Sequence, residues 1–175
     1  MGFSLRSLLG LSETEPDPAS EVESIRRIGE ALEKMDPAEA KRLACFAFVL
    51  ARVARADLNI SPEETRAMER IVGEQGGVPE AQAALIVEVA KAQNQLVGTV
   101  DDYLVTRKYR ESATLEQRKS LLHCVLAVSA ADDSISAQED AEIRKVAAEL
   151  GFDHTDFIAA RTAFRDKLEV LKLRR

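Results

Sequence analysis

Two short stretches decide how this chain is organised: ADLNISPEE at residues 56–64 and ADDSISAQE at residues 131–139. The second stretch begins 75 residues after the first, and an aspartate, an isoleucine, a serine and a glutamate fall at the same places in both. Apolar residues three or four positions apart lie on either side of each stretch, which predicts helices. A helix–loop–helix unit therefore occurs twice. The matched pairs are Asp57 and Asp132, Ile60 and Ile135, Ser61 and Ser136, and Glu64 and Glu139.

The composition favours an all-α fold. Hydrophobic residues make up 46% of the 175 residues but aromatic residues only 5%, so the apolar content is mostly Ala, Leu, Val and Ile. With only 8 Gly and 5 Pro, this composition is typical of helical proteins. We expect a compact bundle of two pseudo-symmetric halves with about seven to eight helices. Residues 1–19 are expected to form a flexible segment and linker, and residues 20–175 a single domain.

Polar residues predict where helices begin. SPEE at 61–64, TLEQ at 114–117 and SAQE at 136–139 each place Ser or Thr three residues before Glu or Gln, the pattern of a capping box. The first helix is expected near 21–34. A last helix is expected over about 153–173, with Phe157 and Ile158 in its apolar face.

Charge and hydropathy narrow the class of protein. The net charge of −6 argues against non-specific nucleic-acid binding, which depends on neutralising phosphates. No stretch is apolar for long enough to span a bilayer, and the start of the chain is not a convincing secretory signal. We therefore expect a cytoplasmic protein. Phe3, Leu5, Leu8 and Leu9 form an apolar patch that is either a frayed terminus or a segment docking the chain at the inner membrane.

The repeated loops have two interpretations. In the first, every matched residue is structural, because Ser61 and Glu64 would cap one helix as Ser136 and Glu139 cap the other. In the second, the acidic residues bind a hard cation such as Ca²⁺, which takes oxygen ligands. The loops are not EF-hands, because the position that needs a bidentate acid is an apolar residue of the next helix in both copies. The proposed metal ligands are Asp57, Glu64, Asp132 and Glu139.

The two loops, on helix–loop–helix units of a small acidic all-helical chain, resemble the TerB family, named for tellurite resistance. The resemblance covers about residues 38–151. It implies a two-fold helical bundle and a divalent cation, Ca²⁺ first, at Asp57, Glu64, Asp132 and Glu139. The family's loop glycine is replaced here by Leu58 and by Asp133.

No catalytic pattern stands out. His123 and Cys124 are neighbours on a predicted helix, so their side chains point about 100° apart and form no dyad. Cys45 and Cys124 lie in apolar segments and are expected to be reduced core residues. The basic stretch TRKYR at 106–110 could touch an anionic surface, although on an acidic protein a solvated helix face is the commoner explanation. We expect neither an enzyme nor a protein with a small-molecule substrate.

Two functions follow. The first is an interaction module of a bacterial stress response, with a protein partner and an association with a membrane complex through residues 1–19. The second is a metal-binding protein whose main role is to sense Ca²⁺ or a similar ion.

Overall fold

The computed structural model describes residues 18–54, 61–96, 102–131 and 134–169. Within these residues the chain is helical, which confirms the all-α class. No helix in these ranges is both long and apolar enough to cross a membrane. The helices are α1 (Pro18–Glu33), α2 (Pro37–Ala54), α3 (Pro62–Gly76), α4 (Glu80–Leu96), α5 (Asp102–Ser112), α6 (Leu115–Ser129), α7 (Ala137–Glu149) and α8 (His154–Thr162), followed by a 3₁₀ helix, Arg165–Lys167.

The helices form the two expected halves. Helices α2, α3 and α4 make the first half, and α6, α7 and α8 make the second. The second helix of each half packs on the first helix of the other half, because α3 lies against α6 and α7 lies against α2. Helices α2 and α6 also pack on each other. Each half therefore covers the other, as the pseudo-symmetry predicts. Helix α1 lies against α2 and α4, while α5 lies against α2 and α7.

One continuous apolar core fills the space between the halves. Leu50 in α2 and its repeat partner Val125 in α6 are both buried, as are Ile143 and Val146 in α7. The thiol of Cys124 is also buried, and Cys45 lies at the edge of the core. The sequence pattern therefore placed the apolar faces of the central helices correctly.

The end of the chain corrects the sequence prediction. Instead of one helix over 153–173, α8 ends at Thr162, and the chain makes a short 3₁₀ helix before it becomes extended at Leu168. Leu168 is buried and pairs with Ile135 in an isolated parallel bridge, so a tertiary contact overrides the local helical pattern. Ile158 was also predicted to face the core, but it is 38% exposed. Residues 170–175 lie outside the described residues.

Among the described residues, the first helix begins at Pro18, three residues earlier than the helix expected near 21–34. Most of the predicted N-terminal segment, with Phe3, Leu5, Leu8 and Leu9, lies outside the described residues.

Candidate functional site

The glutamates of the two repeated loops belong to equivalent capping boxes at the starts of α3 and α7. Ser61 caps α3: its hydroxyl accepts from the Glu64 amide at 3.2 Å, and the Ser61 amide donates to Oε2 of Glu64 at 2.6 Å. Ser136 caps α7 in the same way, with distances of 3.2 Å and 2.9 Å. The Ser136 hydroxyl also donates to Oε2 of Glu139 at 2.7 Å. The structural interpretation of these four residues is thus confirmed.

The cation interpretation stays a prediction. Asp57 and Asp132, the other two proposed ligands, lie outside the described residues. Among the residues that the structure does describe, no three His, Cys, Asp or Glu side chains are grouped closely enough to hold a metal ion. The structure therefore places Glu64 and Glu139 each in the first turn of a helix.

The second loop is tied to the far end of the chain. The Ile135 amide donates to the carbonyl of Lys167 at 2.7 Å, and the Glu169 amide donates to the carbonyl of Ile135 at 3.1 Å. Ile135 and Leu168 are both buried. Residues 134–136, which join the loop to α7, are thereby held against residues 167–169. No sequence pattern indicated this contact.

A buried charge cluster lies where α2, α5 and α7 meet. The side chains of Arg52, Glu142 and Glu149 are only 8%, 7% and 14% exposed. Arg52 donates from Nε to Glu142 at 2.7 Å and from Nη1 and Nη2 to Glu149 at 2.7 and 3.1 Å. Its Nη1 also donates to the Thr106 hydroxyl at 3.1 Å. One guanidinium therefore joins three helices.

The cluster favours the charged forms of Arg52 and Glu142. Burial would raise the pKa of the Glu142 carboxyl, but hydrogen bonds from Arg52 and Lys145 outweigh burial and hold that pKa below its usual value. Burial would likewise lower the pKa of Arg52, but hydrogen bonds to Glu149 and Glu142 raise it. The spacing of the two glutamates, seven residues apart on one face of α7, is the signal that could have predicted this cluster.

A second buried ion pair joins α7 to α8. Arg161 donates to both oxygens of Asp140, at 2.6 and 2.8 Å, and Asp140 is buried. The guanidinium groups of Arg161 and Arg144 lie 5.9 and 5.6 Å from the centre of the Phe157 ring. This pair fastens α8 to α7, and neither Asp140 nor Arg161 was expected to be buried.

The surroundings of Cys45 and Cys124 make their thiols poor nucleophiles. Burial raises the pKa of the Cys124 thiol to about 12, and it also raises the pKa of Cys45. A thiol must lose its proton to act as a nucleophile or a metal ligand. Both therefore fit the expected role of small apolar core residues.

A known protein family matches most of this chain. The family model described as tellurite resistance protein TerB matches residues 42–162. No curated protein and no solved structure matches the chain. The matched residues begin in α2, include both repeated loops and end with α8, so the match covers the two-fold frame described above. The chain belongs to the TerB family.

Proposed function

We propose that this TerB-family chain is a non-enzymatic interaction module of a bacterial stress response, acting at a membrane-associated complex and binding divalent cations, Ca²⁺ first, at its two repeated loops. The proposal rests on membership of the family and on one observation. Both loops end in the same capping box, so Glu64 and Glu139 are fixed at equivalent places in the two halves.

Because Glu64 and Glu139 are held by their capping boxes, a cation site at either loop would combine that glutamate with other carboxylates. At Glu139, both described hydrogen bonds to the carboxylate end on Oε2, so the cap engages one oxygen and Oε1 can serve a further ligand. A helix N-terminus by itself attracts negative charge, so a cation there requires several carboxylates around it. Asp57 and Asp132 are the side chains that the sequence offers for this, together with loop carbonyls and water.

Substitution of glutamine tests cation binding without removing the cap. Glutamine at this position of a capping box is competent, because Gln117 accepts from the Thr114 amide at 2.9 Å in this same chain. The variant with Glu64→Gln and Glu139→Gln should keep its helices and lose calorimetric binding of Ca²⁺. Adding Asp57→Asn and Asp132→Asn should abolish any binding that remains.

The matched control is Ser136→Ala, which removes the cap hydroxyl and keeps every carboxylate. This variant should lose about 0.5–2 kcal/mol of stability and bind Ca²⁺ as the wild type does. If the wild type binds no Ca²⁺, Mg²⁺ or Zn²⁺ at millimolar concentration, the loops are helix joints only and the cation part of the proposal is wrong.

The interaction role depends on the N-terminal segment. Its apolar residues, Phe3, Leu5, Leu8 and Leu9, precede α1 in the sequence and are followed by an acidic, proline-containing stretch. Because α1 begins at Pro18, deletion of residues 1–17 removes no residue of the described helices. We expect the deleted chain to leave the membrane fraction of its host cell. If the deleted and full-length chains fractionate alike, docking through this segment is excluded.

Cation sensing is the second candidate function, and the bridge between Ile135 and Leu168 favours it. A cation bound at residues 132–139 would act directly on the backbone that holds residues 167–169. Hydrogen exchange at the Glu169 amide, measured with and without Ca²⁺, tests this coupling. If that amide exchanges equally fast in both, ion binding is not transmitted to the end of the chain.

A further inference from the structure

The basic stretch at residues 106–110 lies in α5 and divides into buried and exposed residues. Thr106 and Tyr109 are buried, and the Thr106 hydroxyl accepts from Arg52. Arg107, Lys108 and Arg110 are exposed. The stretch is therefore more than a solvated face, because its two buried residues anchor α5 while Arg107 and Arg110 line the surface beside α7.

A cavity of about 450 Å³ opens between α5 and α7. Its volume is within the range of about 300–1,000 Å³ that is usual for small-molecule sites. We call it the arginine cavity, and it is lined by Tyr103, Arg107, Arg110, Glu111, Ala148 and Glu149.

The acidic residues of the arginine cavity are already paired. Both oxygens of Glu149 accept hydrogen bonds from Arg52, which approaches from the protein interior. At Glu111, Oε1 accepts from Nε of Arg107 at 3.1 Å and Oε2 accepts from Lys108 at 3.1 Å. Both carboxylates that line the cavity are therefore already paired with cations.

The second arginine of the cavity is Arg110. No acidic side chain in the described part of the chain pairs with it, and its guanidinium lies directly over the backbone of Gly151. A Cβ atom at Gly151 would come within 2.8 Å of Cζ and Nε of Arg110, so a larger residue there would displace the guanidinium. Gly151 also has a φ of 89°, which other residues rarely adopt. The glycine in the turn after α7 thus leaves room for the guanidinium beside the cavity.

We infer that the arginine cavity is a binding site for a small organic anion carrying a phosphate or a carboxylate group. Arg110 and the outer nitrogens of Arg107 present the planar N–H groups that bind such oxygens in pairs. The half-exposed ring of Tyr103 offers a flat surface for the rest of the ligand. The site lies at the opposite end of α7 from Ser136 and is independent of the cation loops.

The test is a titration of the full chain, followed by calorimetry and by amide NMR shifts at constant ionic strength. Inorganic phosphate and succinate are the probes, because they separate the two ligand groups. At least one should bind saturably and shift amides near residues 103–111 and 148–151. Binding of phosphate alone assigns a phosphate site, and binding of succinate alone assigns a carboxylate site. The absence of saturable binding by both overturns the inference.

Two variants locate the binding. Arg110→Ala should weaken the affinity at least tenfold. Ala148→Leu, which fills the cavity from an exposed position of α7, should also weaken it. Arg66→Ala is the matched control: Arg66 is exposed on α3, does not line the cavity, and its loss should change the affinity less than twofold. Thermal unfolding of each variant checks the fold. Equal affinity in Arg110→Ala and wild type, or an equal loss in Arg66→Ala, overturns the assignment.

Discussion

The two halves of the molecule share their helix starts and differ in how they hold their third helix. In the first half, α4 runs for 17 residues and packs along both α2 and α3. In the second half, α8 lasts 9 residues, and the chain then turns so that residues 167–169 lie against Ile135. The third helix is therefore held by packing along two helices in the first half, whereas in the second half a short backbone bridge after it adds to the contact.

The two halves also differ in the residues that join their second and third helices, because the second half uses an ion pair where the first half has an apolar residue. In the buried pair, Asp140 corresponds to Thr65, 75 residues earlier, whereas Arg161 corresponds to Val87, 74 residues earlier, because α8 begins at His154 as α4 begins at Glu80. Val87 is a buried core residue. Apolar packing tolerates small changes in orientation, whereas a buried ion pair is strongly destabilised when either partner is lost. The second half should therefore be the more sensitive to single charge deletions.

The largest expected effect comes from Arg52→Met. Removal of the guanidinium leaves Glu149 without the two hydrogen bonds from Arg52, while Lys145 still pairs with Glu142, and breaking a buried pair typically costs about 3–5 kcal/mol. Urea unfolding at pH 7 measures the loss. The control is Arg107→Met, which breaks an exposed pair with Glu111 and should cost less than about 1 kcal/mol. Equal losses in the two variants would show that the buried cluster has no special role.

Arg161→Ala should have the next largest effect, a loss of about 2–3 kcal/mol, because two hydrogen bonds to a buried carboxylate disappear. The effect is smaller because Arg144 stays 3.8 Å from Asp140. The double variant Asp140→Thr with Arg161→Val installs the residues of the first half, Thr65 and Val87. It should be closer to wild type than Arg161→Ala in urea unfolding, and a larger loss would mean that the two halves are not interchangeable at this position.

Glu169→Pro should cost about 0.5–1.5 kcal/mol, since it removes one hydrogen bond of the bridge. The extended backbone of Leu168, with φ −76° and ψ 114°, accommodates a following proline. Amide exchange at Ile135 should become faster, because its bond to Lys167 loses its neighbour. Glu169→Ala keeps the backbone donor and should leave the exchange rate unchanged. If the Ile135 amide exchanges slowly in both variants, the burial of Leu168 holds the contact together and the hydrogen bond of Glu169 does not contribute.

The smallest effect is a pH dependence from Glu142. Because its pKa is lowered in the folded chain, the unfolded chain binds the proton first as the pH falls. Its contribution to stability is therefore complete above the unfolded pKa, about 4.3, and is lost as the pH falls through the folded pKa. The free energy of unfolding of wild type should approach that of Glu142→Gln below this range. A constant difference between them from pH 7 to pH 3 would contradict the prediction.

Local signals account for what the sequence predicted well. The boxes at Ser61, Thr114 and Ser136 involve residues three positions apart, so their spacing suffices to predict them. The contact of Arg52 with Glu142 joins residues 90 positions apart, and no local pattern specifies the partner. The end of α8 was missed because apolar spacing continues to Leu168, while its contact with Ile135 exists only in the folded chain. The proposed ligands Asp57 and Asp132 remain predictions from the sequence.

The long sequence separation between Arg52 and its glutamate partners affects the order of folding during synthesis. Its bonds to Glu149 join residues 97 positions apart, so the charged end of α2 leaves the ribosome long before its last partner. At about 5–20 residues per second, the delay is about 5–20 s. During that interval α6 is made and can cover α2 and α3, while Arg52 still lacks both of its glutamates. The ion pairs that link α2 to α7 therefore form late in folding.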